Sequence, residues 1–426
     1  MNPTEPIGVA FKIKRILYLV FATFTLLLLG LIYAWSIFAA PISQAFPDYE
    51  SLLPQVFQVS MFAFCLSALI GAQIIKRRSA KAAILVAAVL LAMGFTLTAL
   101  FSGASIWALF IFYGIFTGSG CGIGYNAILS LINPWFPDKT GMCTGVMMMG
   151  FGVSSLVFGS VASVLFGIMD WTLVFMIIAL AAFGVMFLLA FVVESAPEDI
   201  DAQLGLTHAS ASAPLSPLQQ TFIMKTKVFW LFWIWAILIV ACGLTLIGTS
   251  AQGANVLKLD DTIFVGFAAI LVGLVSTMNG ISRIVNGILF DKVGLVPIML
   301  YSSVVCFLCA LGLSVSLAWG IGPLYIVAAI FIALPYGASP VMCAAFARQR
   351  FKPRDFSMNL GILACSIAVA ATINIIIVAL LGSPTEANGP LIYGILAVFS
   401  VLAFLTTLVF NRLYKADLAI IDKERG

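Results

Sequence analysis

The residues best suited to chemistry in this chain are Ser276, Asn279, Arg283 and Asn286, inside an otherwise apolar stretch from about 262 to 290. Steps of three, four and three residues place them on one helix face, within about 60° of one another. Arg283 stands out. A guanidinium keeps its charge at any physiological pH, and its planar fork of donors matches a carboxylate in a bidentate pair. A cation at the centre of a bilayer costs roughly 2.5–3.5 kcal/mol on insertion scales, so its presence marks a functional site. Arg283 precedes Asp291 by eight residues, about 12 Å along a helix. Snorkelling to the interface and a buried ion pair are the structural alternatives. The polar stripe above Arg283 favours a wet cavity, and all 17 acidic residues are expected in loops, tails or helix ends. Arg283 is thus read as the one charged residue outside a loop or terminus, with its partner supplied by a bound anion.

Other chemistry is scarce. The eight cysteines all fall in apolar segments, and the only histidine, His208, sits in a polar loop. No spacing fits a metal site, and no nucleophile and base share a depth, so neither an enzyme nor a cofactor is expected. Weaker candidates are amphipathic side chains at membrane depth: Tyr33, Trp35, Tyr125, Asn126 and Tyr336. Each can donate to a carboxylate or wall a site; packing or an interfacial aromatic belt is the plainer role.

The elements that must position these residues follow from composition. The 426 residues are 62% hydrophobic and 9% charged, against about 25% charged in soluble domains, so the chain is a membrane protein. Apolar segments of spanning length recur twelve times, at about 16–41, 53–75, 81–102, 105–133, 140–169, 171–193, 226–249, 262–290, 295–317, 320–347, 357–382 and 388–411. The first follows Lys12, Lys14 and Arg15, as in a signal peptide. Its length exceeds the 7–15 residues of a signal core, so it is read as an uncleaved helix. The polar stretch 194–225, with an Ala/Ser/Pro run at 209–217, is read as a linker between an N-terminal bundle (1–193) and a C-terminal bundle with its tail (226–426). With the N-terminus inside, nineteen of the 21 lysines and arginines fall on the inner side. Lys258 lies outside and Arg283 within the membrane. This distribution predicts a multi-pass protein of the plasma (inner) membrane with both termini cytoplasmic.

An internal repeat runs at an offset of 216 residues. It pairs Gly71 with Gly287, Lys76 with Lys292, Pro137 with Pro353, Met142 with Met358 and Gly145 with Gly361. The expected fold is an all-α membrane protein of twelve transmembrane helices in two pseudo-repeated six-helix bundles. Secondary transporters with such duplications bind substrate between the halves near the midplane. The glycines at 118, 120, 122 and 124, and those from 141 to 159, are expected to let helices approach closely.

Gly287-x-x-x-Asp291-Lys292-x-Gly294 resembles the loop signature of the major facilitator superfamily. Within it, Tyr33-Ala34-Trp35-Ser36 with Pro41 is similar to the oxalate/formate antiporter family. The same holds for Gly118-x-Gly120-x-Gly122-Ile123-x-Tyr125, Trp135-Phe136-Pro137-Asp138-Lys139-x-Gly141 and Asn279-Gly280-x-x-Arg283. The resemblance covers nearly the whole chain. It implies a carrier of small organic anions such as oxalate, formate, lactate or pyruvate, related to the monocarboxylate transporters. It also implies that Tyr33, Tyr125 and Tyr336 face the cavity, and gives gating roles to Gly287, Asp291, Lys292, Asp138 and Lys139.

Two departures qualify it. Ile75 stands where the repeat has Asp291, so the first-half signature lacks the acid that helps to lock the gate. Ile367 stands where the family's oxalate carriers have a second cation, a lysine. One cation implies a substrate of one charge. The expected function is transport of a monocarboxylate (formate, lactate, pyruvate) by alternating access, as exchange or facilitated transport. An oxalate/formate-type dicarboxylate antiporter, or a facilitator carrier of another solute, is the alternative; a channel or receptor fits less well. The expected partners are a small carboxylate and the lipid bilayer. No nucleic acid is expected, and the protein is read as a monomer.

Overall fold

The computed structural model describes residues 9–197, 199–204, 224, 226–259, 267–350, 355–382 and 384–423. Among them every regular element is helical. A long helix is what an apolar chain in a bilayer must adopt, since each backbone N–H and C=O then bonds within its own segment. Eleven helical stretches among the described residues are long and apolar enough to cross a membrane, and they match eleven of the twelve expected segments. The expected eighth is a helix of 27 residues, Phe267–Val293, about 40 Å long. Its expected first residues, 262–266, lie outside the described residues. So do Glu198, His208, the run at 209–217 and residues 351–354 of the repeat.

By contacts the chain falls into two compact units, Met1–Pro214 with Lys352–Cys365, and Leu215–Phe351 with Ser366–Gly426. The first contains α1 (Val9–Leu29), a 3-10 turn (Gly30–Ala34), α2 (Trp35–Ala45), α3 (Leu53–Arg77) and α4 (Ala80–Phe101). It continues with a π-helical stretch (Leu109–Thr117), α5 (Gly118–Ile132), α6 (Thr140–Ser154), a second π stretch (Ser155–Gly159), α7 (Ser160–Phe166) and α8 (Trp171–Val192). The second contains α9 (Lys227–Val256), α10 (Phe267–Val293), α11 (Leu295–Trp319), α12 (Gly322–Phe331) and α13 (Ala333–Arg350). Then come α14 (Phe356–Leu381), whose first ten residues group with the first unit, and α15 (Gly389–Lys423).

The repeat is visible in the packing inside each unit. In the first, α3 packs on α5 and α4 on α8; in the second, the equivalents do the same, α10 on α13 and α11 on α15. Small residues make this possible. A Cβ on Gly118 or Gly120 would stand 2.9 Å from Ser60 Cα or Leu91 N, so α5 touches the backbones of α3 and α4, as expected of these glycines. Capping is local. Ser79 accepts the Ala82 N–H at 3.1 Å to start α4, and Asp170 accepts the Thr172 N–H at 2.8 Å to start α8. Gly294, last residue of the loop signature, has φ +80° between α10 and α11, a conformation that an L side chain strains to adopt.

The helices depart from the apolar segments in instructive ways. α1 begins seven residues before the apolar run, so Lys12, Lys14 and Arg15 are helical. Arg15 is only 8% exposed. Arg283 is therefore not the only charged residue placed inside a helical span, a correction to the sequence expectation. The first span is broken by the 3-10 turn carrying Tyr33. The fourth and fifth contain π stretches, and the Gly118 N–H closes the first of these on Tyr113 O, five residues back. The tenth is divided at Ile332. Such irregular backbone at membrane depth persists where protein buries it or a cavity is lined, and π turns recur at functional sites.

Candidate functional site

Within the second unit, α10 presents the expected polar face. Arg283 is 5% exposed, Asn279 and Asn286 are buried with it, and Ser276 is half-buried. The four are not equivalent. Asn286 Nδ2 donates to Ser282 O at 2.7 Å and Leu334 O at 3.0 Å, while its Oδ1 accepts from Tyr301 Oη at 2.9 Å. With every group used, Asn286 braces α10 against α11 and α13. The Ser282 hydroxyl has one proton to share between Asn279 O and Ala333 O, at 2.7 and 3.2 Å. Arg283 takes part in interactions within the protein, so it is not the free cation that the sequence led us to expect. Its burial and its polar neighbours are what distinguish it.

Tyr336 on α13 joins this face. It is 8% exposed. The next residue explains the approach. A Cβ on Gly337 would stand 2.7 Å from Asn279 O and 3.1 Å from Asn279 Oδ1, so α13 meets α10 backbone to side chain at this point. Pro340, inside α13, lacks the N–H that would bond Tyr336 C=O in a regular helix. The Tyr336 ring belongs to a cluster with Ile237, Val240, Ala241 and Ala370, and Ile367 packs against it. The position expected to decide substrate charge thus packs against the cluster that contains Tyr336.

In the first unit, Tyr33 and Tyr125 meet through Phe151. Both rings stand edge-on to it at 5.2 Å, and Phe64 completes the group at 5.5 Å from Tyr125 and 5.9 Å from Phe151. Phe64 and Phe151 carried no sequence signal beyond apolarity. Trp35 is not in this group: its indole N–H donates to Leu53 O at 2.8 Å, and its ring packs on Tyr113 at 4.3 Å. The Asn126 amide N–H groups are also taken, although its Oδ1 is buried without a hydrogen-bond partner. Its Nδ2 donates to Ala68 O at 2.9 Å and Ser357 O at 2.8 Å, all inside the first unit.

Of the residues expected to gate, Gly287 is buried, while Asp291, Lys292 and Lys139 are exposed. Asp138 is ion-paired with Arg15. Arg15 Nε also donates to Trp135 O at 2.7 Å, and its guanidinium lies 4.5 Å over the Phe136 ring. Beside it Lys14 Nζ bonds Glu194 Oε2 at 2.6 Å, and Trp135 Nε1 donates to Glu194 O at 3.0 Å. The Lys14 hydrogen bond holds the Glu194 carboxyl below its ordinary value. The Trp-Phe-Pro-Asp run is therefore a cradle for Arg15, which ties α1 to the loop before α6, while Lys14 and Trp135 hold Glu194 just past the end of α8.

A model of the family described as Major Facilitator Superfamily matches residues 20–342. The chain belongs to the Major Facilitator Superfamily. This transporter is 23% identical over 351 residues to an uncharacterized MFS-type transporter, YhjX, of Escherichia coli K12, covering 82% of this chain and 84% of that one. It is 24% identical over 283 residues to the oxalate:formate antiporter of Oxalobacter formigenes, covering 66% of this chain and 64% of the antiporter. Among solved structures, the proton:xylose symporter XylE superposes with a TM-score of 0.74 at 16% identity, over 94% of this chain and 96% of that one. The transporter FucP in its outward conformation gives 0.63 at 14%, over 93% and 99%. These structural likenesses establish the fold of the transporter, a multi-pass membrane carrier.

Proposed function

We propose that this transporter carries small monocarboxylates, with Arg283 as the charged anchor. The observation that carries the reading is the placement of Arg283: buried on a polar helix face with Asn279 and Asn286. A carboxylate is the anion that a guanidinium fork pairs with best in two parallel hydrogen bonds. Similarity to an oxalate:formate antiporter supports a carboxylate as the solute.

Charge selects within that class. Arg15 and Arg283 are the buried cations among the described residues, and Arg15 is engaged by Asp138 in the first unit. Ile367 supplies no second charge near Tyr336. A monoanion such as formate, lactate or pyruvate offers the one carboxylate that the Arg283 fork pairs with, and Ile367 gives a dianion's second carboxylate no cation. Tyr336 and Asn279 line the anchor and Ser276 extends its polar face; Tyr33 and Tyr125 form an aromatic wall. Trp35 and Asn126 pack and brace. Gly287, Asp291 and Lys292 serve as gating elements in the second half, and Asp138 and Lys139 serve in the first-half loop that the repeat pairs with the segment around Pro353. Movement is by alternating access, as exchange or facilitated transport, with both termini on the cytoplasmic side.

Counterflow into proteoliposomes with a panel of mono- and dicarboxylates tests the reading. Trans-stimulation by formate or lactate, with little by oxalate, is the expected pattern. Ile367→Lys should move preference towards the dicarboxylate. Stimulation by oxalate alone would instead favour the dicarboxylate antiporter.

A further inference from the structure

The Tyr336–Gly337 pair of α13 is gripped from two sides. On the α10 side, Gly337 abuts Asn279 as described above. On the other, the Tyr336 side chain lies directly on Gly243 of α9: a Cβ there would meet Tyr336 Cβ at 2.6 Å, with ring atoms Cγ and Cδ2 closer still. Carbon atoms in ordinary contact stand about 3.5–4 Å apart. The obstructed atoms include Cβ, which no side-chain rotation moves, so relief requires a shift of α13 itself. That shift is opposed by the contact of Gly337 with the backbone oxygen of Asn279, a residue one turn from Arg283 on the same helix. Two glycines therefore fix where the tyrosine ring stands relative to the arginine.

We infer that Gly243 is a specificity-determining residue: by seating Tyr336 on α9 it sets the space beside Arg283 and hence the length of acid accepted. This rests on the proposal that Arg283 anchors a carboxylate. Val240, Ala241 and Ala370 share a buried apolar cluster with Tyr336, so the side of the tyrosine formed by these residues suits a short alkyl substituent. Gly243 touches Tyr336 and acts through it, as a positioning residue. A side chain at 243 displaces the ring away from α9 and shortens that space. One methylene in an apolar pocket is worth about 10–200-fold in discrimination, so a displacement of this size is readable as selectivity.

The test is uptake of formate, acetate, propionate and butyrate by wild type, Gly243→Ala, Tyr336→Ala and Gly243→Ala/Tyr336→Ala in proteoliposomes. The expected result for Gly243→Ala is that kcat/KM for butyrate falls at least about ten-fold relative to formate. With the ring removed, Gly243→Ala should leave the ladder of acids within about two-fold of Tyr336→Ala alone, a coupling that defines action through the ring. If Gly243→Ala fails to fold, Tyr336→Ala still decides, since it should move the ladder towards longer acids. A uniform loss across all four acids, or a ladder unchanged by removing the ring, overturns the inference. Wild-type protein that takes up none of the acids, or is indifferent to its arginine, refutes the underlying proposal instead.

Discussion

Tyr301 Oη donates to Asn286 Oδ1 at 2.9 Å, while both Asn286 amide protons go to backbone carbonyls on α10 and α13. Asn286 lies one turn from Arg283, yet it has no hydrogen-bonding capacity left for a ligand's oxygen. It fixes the helices that carry the site.

Tyr301→Phe should therefore lower stability, by about 1–3 kcal/mol, because it strands a buried acceptor. Thermal unfolding in detergent measures this, and the affinity for substrate should change little. Asn286→Ala should cost more, since it removes all three bonds and leaves the Tyr301 hydroxyl without its acceptor. An unchanged melting temperature combined with a large rise in KM would assign Asn286 to the substrate instead.

Arg15 makes a second prediction. Its side chain is 9% exposed and that of Asp138 27%, so Asp138→Ala leaves a buried guanidinium without its counter-ion. A fully buried pair broken in this way costs 3–5 kcal/mol; the partial exposure of Asp138 brings the expected loss to about 2 kcal/mol. Asp138→Glu should recover part of it. The loss should appear in stability and be shared by all substrates, whereas a pure gating role would change transport rate at constant stability.

Much of this was legible in the sequence, for physical reasons that also mark where legibility stops. Spanning helices announce themselves because a bilayer demands about 20 apolar residues, and eleven of the expected twelve recur as apolar helices of spanning length with the eighth present as α10. The polar face of α10 followed from helical periodicity alone. The burial of Arg15 did not, because α1 starts beyond the apolar run and its charges are covered by tertiary contacts with the Trp135–Asp138 loop. Nor was it visible that the Asn126 amide N–H groups go to the Ala68 and Ser357 carbonyls. The seat of Tyr336 on Gly243 depends on which helices meet, and no local pattern in either segment encodes it.

Asp170 gives a pH prediction outside the membrane. Its carboxylate accepts from the Thr172 hydroxyl and N–H at the start of α8. Those bonds, the hydroxyl first, hold its carboxyl below its ordinary value of 3.8. A depressed folded value means that the bonus is fully present above the unfolded value and is lost as pH falls through the folded one. Asp170→Asn should keep the cap and lose this part of the acid sensitivity, and Asp170→Ala should cost about 1 kcal/mol at neutral pH. Melting temperatures between pH 3 and 7, compared across the three proteins, check the sign. A gap between wild type and Asp170→Asn that widens towards low pH would contradict it.

The most direct test of the central claim is uptake of labelled lactate or formate by proteoliposomes containing Arg283→Lys, normalised to folded protein. Lysine keeps the charge but cannot pair bidentately with a carboxylate. Loss of one charge-assisted hydrogen bond, about 1.5–3 kcal/mol, predicts a fall in kcat/KM of roughly 10–150-fold with the fold intact. Uptake within two-fold of wild type would contradict the anchor role of Arg283.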